Sequence, residues 1–173
     1  MYRCFNRIVL VLTLGSKGSG VRALQRNLGL RFEEFEMTTV MSVRVDGVFG
    51  RETLTAVKYW QCVVGLPVNG RVDDSIWRFI TMGVAGLPVL SAGMHRMSVR
   101  AVQKTILATG VVGMPAPADG NFGPQTVAAV RAYQQQMGLE ASGVVDAKTW
   151  QEIVRSRLTT LPCIALVPNP YRL

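Results

Sequence analysis

The segment LTLGSKGSGVRALQRNL from Leu12 is matched by LSAGMHRMSVRAVQKTI from Leu90, at an offset of 78. Gly15, Val21, Arg22, Ala23 and Gln25 thereby return as Gly93, Val99, Arg100, Ala101 and Gln103. Further along, VDGVFGRETLTAVKYWQ from Val45 is matched by ADGNFGPQTVAAVRAYQ from Ala118, at an offset of 73. Asp46, Gly47, Phe49, Gly50, Thr53 and Gln61 return as Asp119, Gly120, Phe122, Gly123, Thr126 and Gln134. At the same offset Gly65, Gly70, Asp73 and Trp77 return as Gly138, Gly143, Asp146 and Trp150. The offset falls because the loop at 30–44 is longer than its counterpart. A duplication of this kind restricts the fold to two copies of one small unit. It divides the 173 residues into an extension (1–11), a first module (12–82), a linker (83–89), a second module (90–157) and a tail (158–173).

Each repeat reads as three helices, so the fold class expected is all-α: two tandem three-helix modules with extended apolar ends. In the first helix Val21, Leu24, Gln25 and Leu28 fall at i, i+3, i+4 and i+7, and Val99, Val102, Gln103 and Ile106 do the same. The Asp-Gly-x-Phe-Gly segment then reverses the chain, with Asp46, Gly47 and Gly50, or Asp119, Gly120 and Gly123, as turn residues. A second helix carries Leu54, Val57, Trp60 and Val64, echoed by Val127, Val130, Tyr133 and Met137. Gly65-Leu66 and Gly138-Leu139 stop it. Asp73 and Asp146 are placed to cap a third helix, which is expected to bury Trp77 or Trp150 as a core anchor.

Composition removes several classes of function. Hydrophobic residues make up 49% of the chain and charged ones only 17%, which excludes a disordered protein. His95 is the one histidine and lies outside any zinc-binding context, so neither a metal site nor a Ser-His-Asp triad is expected. Cys4, Cys62 and Cys163 show no C-x-x-C spacing, and three cysteines make no closed disulfide framework. The duplicated Asp46 and Asp119 are equivalent turn residues in separate modules rather than an acid–base pair. No enzyme and no cofactor are expected. The apolar run from Ile8 to Leu14 follows Arg3 and Arg7 but lacks a small-x-small cleavage site, so a cytoplasmic protein is expected. No stretch has the roughly 18 apolar residues of a membrane helix.

Both halves resemble the peptidoglycan-binding domain family, three-helix modules attached to many bacterial wall hydrolases. The first half carries the resemblance in V-R-A-L-Q, V-D-G-V-F-G-R-E-T-L-T-A-V, G-L-P-V-N-G-R-V-D and Trp77. The second shows R-A-V-Q, A-D-G-N-F-G-P-Q-T-V-A-A-V, G-L-E-A-S-G-V-V-D and T-W. Arg51 stands where the family has a proline, and Met94-His95-Arg96 replaces its Gly/Lys-rich start. The resemblance implies the helical fold and, for function, binding of cell-wall peptidoglycan in a groove between helices of each module.

The residues themselves point to contacts rather than chemistry. With 19 Lys+Arg against 11 Asp+Glu the net charge is +8. Arg22 and Arg26, and equivalently Arg100 and Lys104, are spaced i, i+4 off the apolar stripe of the first helix of each module. They read as patches for an acidic partner. Nucleic acid is not the expected partner, because the basic residues are dispersed and no nucleic-acid motif accompanies them. Phe32 and Phe35 in the long loop, and Leu161, Ile164, Leu166 and Tyr171 in the proline-rich tail, read as apolar anchors for a partner surface. The leading expectation is a non-catalytic adaptor that holds acidic subunits of a larger assembly together, as linkers of light-harvesting antennae do. The alternative is a peptidoglycan-binding protein without a catalytic domain, in the periplasm or wall.

Overall fold

The computed structural model describes residues 11–38, 41–111, 118–159 and 163. Among them lie six α-helices and no strand: α1 (Ser19–Glu34), α2 (Arg51–Val63), α3 (Asp74–Met82), α4 (Met97–Ala108), α5 (Pro124–Gln136) and α6 (Ala147–Thr159). A 3-10 turn, Gly83–Gly86, follows α3 directly. In the first module α1 packs on α2 and α3; in the second α4 packs on α5 and α6. Isolated antiparallel bridges pair Leu12 with Val72 and Lys17 with Val48, and these return as Leu90 with Val145 and His95 with Asn121. The chain entering each module is thus pinned to the turn after its first helix and to the approach to its third.

Four buried glutamines account for the recurrence of that residue type. The Gln25 amide donates to Asp46 Oδ1 (2.8 Å), to the Val48 carbonyl and to Thr53 Oγ1, while its Oε1 accepts from the Gly47 N–H. Gln103 repeats every contact with Asp119, Asn121, Thr126 and Gly120. At the second loop Gln61 bonds Asn69, the Arg71 carbonyl and the Gly70 N–H, and Gln134 bonds Ser142, the Val144 carbonyl and the Gly143 N–H. A buried amide costs free energy unless its donor and acceptor sides are both satisfied. Each glutamine meets that condition by holding a glycine-bearing loop, so the loop geometry and the buried amide require one another.

The helix ends follow from local chemistry. Asp73 caps α3 by accepting from the Ser75 and Ile76 N–H groups, and Asp146 caps α6 by accepting from the Thr149 N–H. Gly50 and Gly123 take extended backbone as the N-caps of α2 and α5. Pro124 occupies the first position of α5, where its missing N–H costs nothing. α2 and α5 end in matched motifs: Leu66 N–H bonds the Gln61 carbonyl and Leu139 N–H the Gln134 carbonyl, each at 2.8 Å.

The first core is aromatic. Phe32, Phe35 and Phe79 surround Trp60 with ring centroids 5.2–5.6 Å away, and Tyr59 lies against Trp60 at 5.4 Å. The second core is built mainly from Val99, Val102, Ile106, Phe122, Val130, Tyr133, Trp150 and Ile153. Between the modules, α6 meets both α2 and the 3-10 turn.

Candidate functional site

The turn residues are committed to structure. Asp46 accepts from the Val48 N–H and from Gln25, contacts that hold its carboxyl below the usual carboxylate value. Asp119 accepts from Gln103, from the Asn121 N–H and from the Asn121 side-chain amide, which bring its pKa down to about 2. Each carboxylate bonds only its own module's turn and helix, an arrangement that fixes ionised groups rather than passing protons between them.

The basic residues divide into two kinds. Arg22 folds over the Asp46-Gly47 turn and donates to the Val45 carbonyl at 3.4 Å; Arg100 donates to the Asp119 carbonyl at 3.1 Å. Arg26 and Lys104, one helical turn on, are exposed and make none of the hydrogen bonds or ion pairs found among the described residues. Phe32 and Phe35 are not surface anchors. α1 runs on to Glu34 instead of stopping at Leu30, and this extra turn carries both rings into the Trp60 cluster. Trp77 also departs from expectation, since it is only partly buried at the rim of the core whereas Trp150 is fully buried. Trp150 donates its indole N–H to the Pro88 carbonyl at 2.8 Å, so the segment between the modules covers it. The counterpart of Pro88 in the first repeat, residue 10, lies outside the described residues, as do Leu161, Ile164, Leu166 and Tyr171.

The junction holds what the repeat pattern did not reveal. Cys62 is disulfide-bonded to Cys163 across 101 residues, a pairing that neither the spacing nor the odd number of the cysteines pointed to. Beside it, Arg157 of α6 is only 7% exposed. Its guanidinium donates to the Val63 carbonyl (2.5 Å), the Cys62 carbonyl (2.8 Å), the Ala101 carbonyl (3.1 Å) and Thr105 Oγ1 (3.2 Å). Burial holds it below the usual arginine pKa, but the guanidinium remains a cation. It caps the negative C-terminal end of α2 and bonds α4 as well, so one side chain joins three helices from both modules. The sequence does contain a signal: Trp150, Ile153, Val154 and Arg157 are spaced i, i+3, i+4 and i+7, which puts a charge on an apolar stripe.

On the surface at this junction lies a cleft of about 420 Å³. Its walls are one face of α3 along its length, the first turn of α4 with Arg96 before it, the loop after α2, and the 3-10 turn with the residues that follow it. Two glycines permit this close assembly. A Cβ on Gly65 would lie 2.3 Å from the Ala101 Cβ, and one on Gly86 would lie 2.3 Å from the Arg78 carbonyl oxygen. The polar residues lining the cleft are Arg78, Arg96, Asp74, Ser75 and Ser98, set among Leu66, Pro67, Met82, Leu87 and Met97. Arg78 Nε is 3.8 Å from an Asp74 carboxylate oxygen. Among the described residues no group of three His, Cys, Asp or Glu is placed to hold a metal ion, and no helix is long and apolar enough to cross a membrane.

Comparison with known families gives this architecture its class. The family model described as "Putative peptidoglycan binding domain" matches residues 17–80 and again residues 96–153. The two matches cover more than two thirds of the chain, which therefore belongs to this family as a tandem of two modules. Among curated proteins, the uncharacterized protein YbfG of Bacillus subtilis (strain 168) is 28% identical over 141 residues, 80% of this chain. The chain spans only 18% of that relative's length. No solved structure matches.

Proposed function

We propose that the chain is a non-catalytic binding protein for cell-wall peptidoglycan, acting outside the cytoplasm. The observation that carries this reading is the pair of family modules, each with its glutamine-clamped turns intact. The Cys62–Cys163 disulfide supports an oxidising compartment instead of the cytoplasm, because such bonds persist where thiols are not kept reduced. A net charge of +8 favours association with a wall polymer bearing carboxylates. Co-sedimentation with purified wall sacculi at physiological salt tests the reading. The protein is expected in the pellet; its retention in the supernatant would overturn the proposal.

The adaptor reading keeps one specific support, the exposed Arg26 and Lys104 at equivalent positions on α1 and α4. It has lost Phe32 and Phe35 as anchors, since both fill the first core. It predicts a stoichiometric complex with acidic subunits together with no affinity for sacculi, so the same experiment separates the two.

A further inference from the structure

We propose that the cleft between the modules is a ligand site of its own, which seats the carboxylate of a short peptide against Arg96, Arg78 and Ser98. The inference rests on the wall-binding reading above and assigns to this cleft the peptide part of the polymer rather than its glycan.

The two repeats supply the first observation, because the cleft's polar residues are places where they differ. Arg96 and Ser98 stand where the first repeat has Gly18 and Gly20; Arg78 stands where the second has Gln151, and Asp74 where it has Ala147. Residues needed to build one module recur in the other, as the four glutamines do. These do not recur, so the module fold does not demand them. What they share is their place at the junction.

The second observation is polar capacity left unused there. Ser98 is only 6% exposed and lines the cleft, yet no hydrogen bond among the described residues involves its hydroxyl. α4 begins at this point without a side-chain cap and without an acidic residue in its first turn. Its leading N–H groups and the positive end of its dipole therefore remain available to an anion. α3, opening into the same cleft, is capped by Asp73 and has Asp74 in its first turn. Arg96 forms no ion pair among the described residues, and Arg78 has only the long contact to Asp74. Two guanidinium groups and one carboxylate leave the cleft with an excess of positive charge.

The third observation is preorganisation combined with apolar walls. Arg157, the disulfide and the tight approach at Gly65 fix the modules against each other, so little ordering remains to be done on binding. Met82 and Met97, each 58% exposed, flank the arginines and offer adaptable contact to a peptide's aliphatic side chains. A stripped glycan presents hydroxyls, acetamido groups and lactyl carboxylates on a polar chain, whereas a peptide ending in a carboxylate matches the charge and brings aliphatic side chains to the methionine rim.

The test uses the full chain with its disulfide intact and methionine methyls labelled for NMR. Disaccharide-peptides released from sacculi by a muramidase are one probe; glycan chains stripped of peptide by an amidase are the other. The disaccharide-peptides are expected to shift the Met82 and Met97 methyl resonances, and the stripped glycan to leave them in place. R96A, S98A and R78A are expected to weaken disaccharide-peptide binding, R96A by about tenfold or more, while R131A, an exposed position on α5 that does not line the cleft, leaves it unchanged. Wild-type protein that pellets with sacculi while Met82 and Met97 stay silent overturns the cleft assignment and leaves the wall reading standing. Equal shifts from stripped glycan overturn the peptide assignment. Failure of the wild type to pellet removes the wall reading itself, and with it this proposal.

Discussion

The two modules of this chain are alike where each must hold its own turns and at a shared set of core positions such as Val21 with Val99 and Phe49 with Phe122, and unlike in the aromatic part of the core and where each meets its neighbour. Gln25 and Gln103 make the same four hydrogen bonds, and the bridges pair equivalent residues. The aromatic part of the core diverges. Around Trp60 stand Phe32, Tyr59 and Phe79, at positions where the second repeat has Gly110, Ala132 and Glu152. The junction diverges further, since Arg157 and Cys62 correspond to Val84 and Gln135. Loop geometry that depends on a buried amide tolerates few substitutes, while apolar volume can be filled in many ways. Duplicated modules therefore stay alike in their polar clamps and are free to specialise in packing and at the surface where they meet.

The largest expected effect comes from emptying the aromatic core. W60A removes the ring against which Phe32, Phe35, Tyr59 and Phe79 all pack, and its cost is expected to be about 3–5 kcal/mol. Chemical denaturation followed by tyrosine and tryptophan fluorescence checks it. A single transition is expected, because Arg157 and the disulfide couple the modules; two well-separated transitions would show that the clamp does not transmit the damage.

Breaking the clamp is expected to come next. Opening the 101-residue loop by C163S, or by a thiol reductant, relaxes the constraint on the unfolded chain and is expected to cost about 2–4 kcal/mol. Cys4 must be replaced as well in the C163S variant so that it cannot capture Cys62. A melting temperature indifferent to reductant would show that α6 is held by Arg157 and packing alone.

A sharper comparison uses two glycines that perform the same local task. Gly65 and Gly138 both end a helix at a φ of 70°, so an alanine at either meets the same backbone penalty. At Gly138 a Cβ would find nothing within 4 Å, whereas at Gly65 it would collide with Ala101 of the other module. G65A is therefore expected to be less stable than G138A by about 1–3 kcal/mol, the range for overpacking a tight contact. Equal losses would mean that the close approach of the modules contributes nothing to stability.

Much of the fold was legible because the duplication exposed it. Residues that both copies need, such as Asp46 with Asp119 and Asp73 with Asp146, stand out when the halves are aligned. The same comparison hides the junction, which by its nature occurs once. Cys62 and Cys163 are far apart in sequence with no counterpart in either repeat, and Arg157 was visible only as a charge on an apolar stripe. Phe32 and Phe35 read as loop residues because the repeat comparison places the start of the longer loop at Leu30. Yet LRFEE contains no helix breaker, and α1 continues until the chain reaches positive φ at Glu36. The cleft could not be read from sequence either, because its polar residues come from separate segments that only the packing of the modules brings together.

The smallest expected effect isolates one hydrogen bond between the modules' otherwise identical turns. Asp119 has a partner that Asp46 lacks: the Asn121 side-chain amide at 3.0 Å, where the first repeat has Val48. A carboxyl whose folded pKa lies below its unfolded value stabilises the fold above the unfolded value, and that contribution is lost as pH falls through the folded one. For Asp119 the window runs from roughly pH 4, the free carboxyl range, down to about 2. Both groups are solvent-exposed, so the consequence for global stability is small and is best read at the carboxyl itself. Carbonyl-detected NMR titration of N121V is expected to move the Asp119 midpoint upward, while Asp46 in the same molecule stays where it was and serves as the internal reference. An unmoved Asp119 would mean that Gln103 and the Asn121 N–H alone set its acidity, and that the two turns are electrostatically the same despite the extra amide.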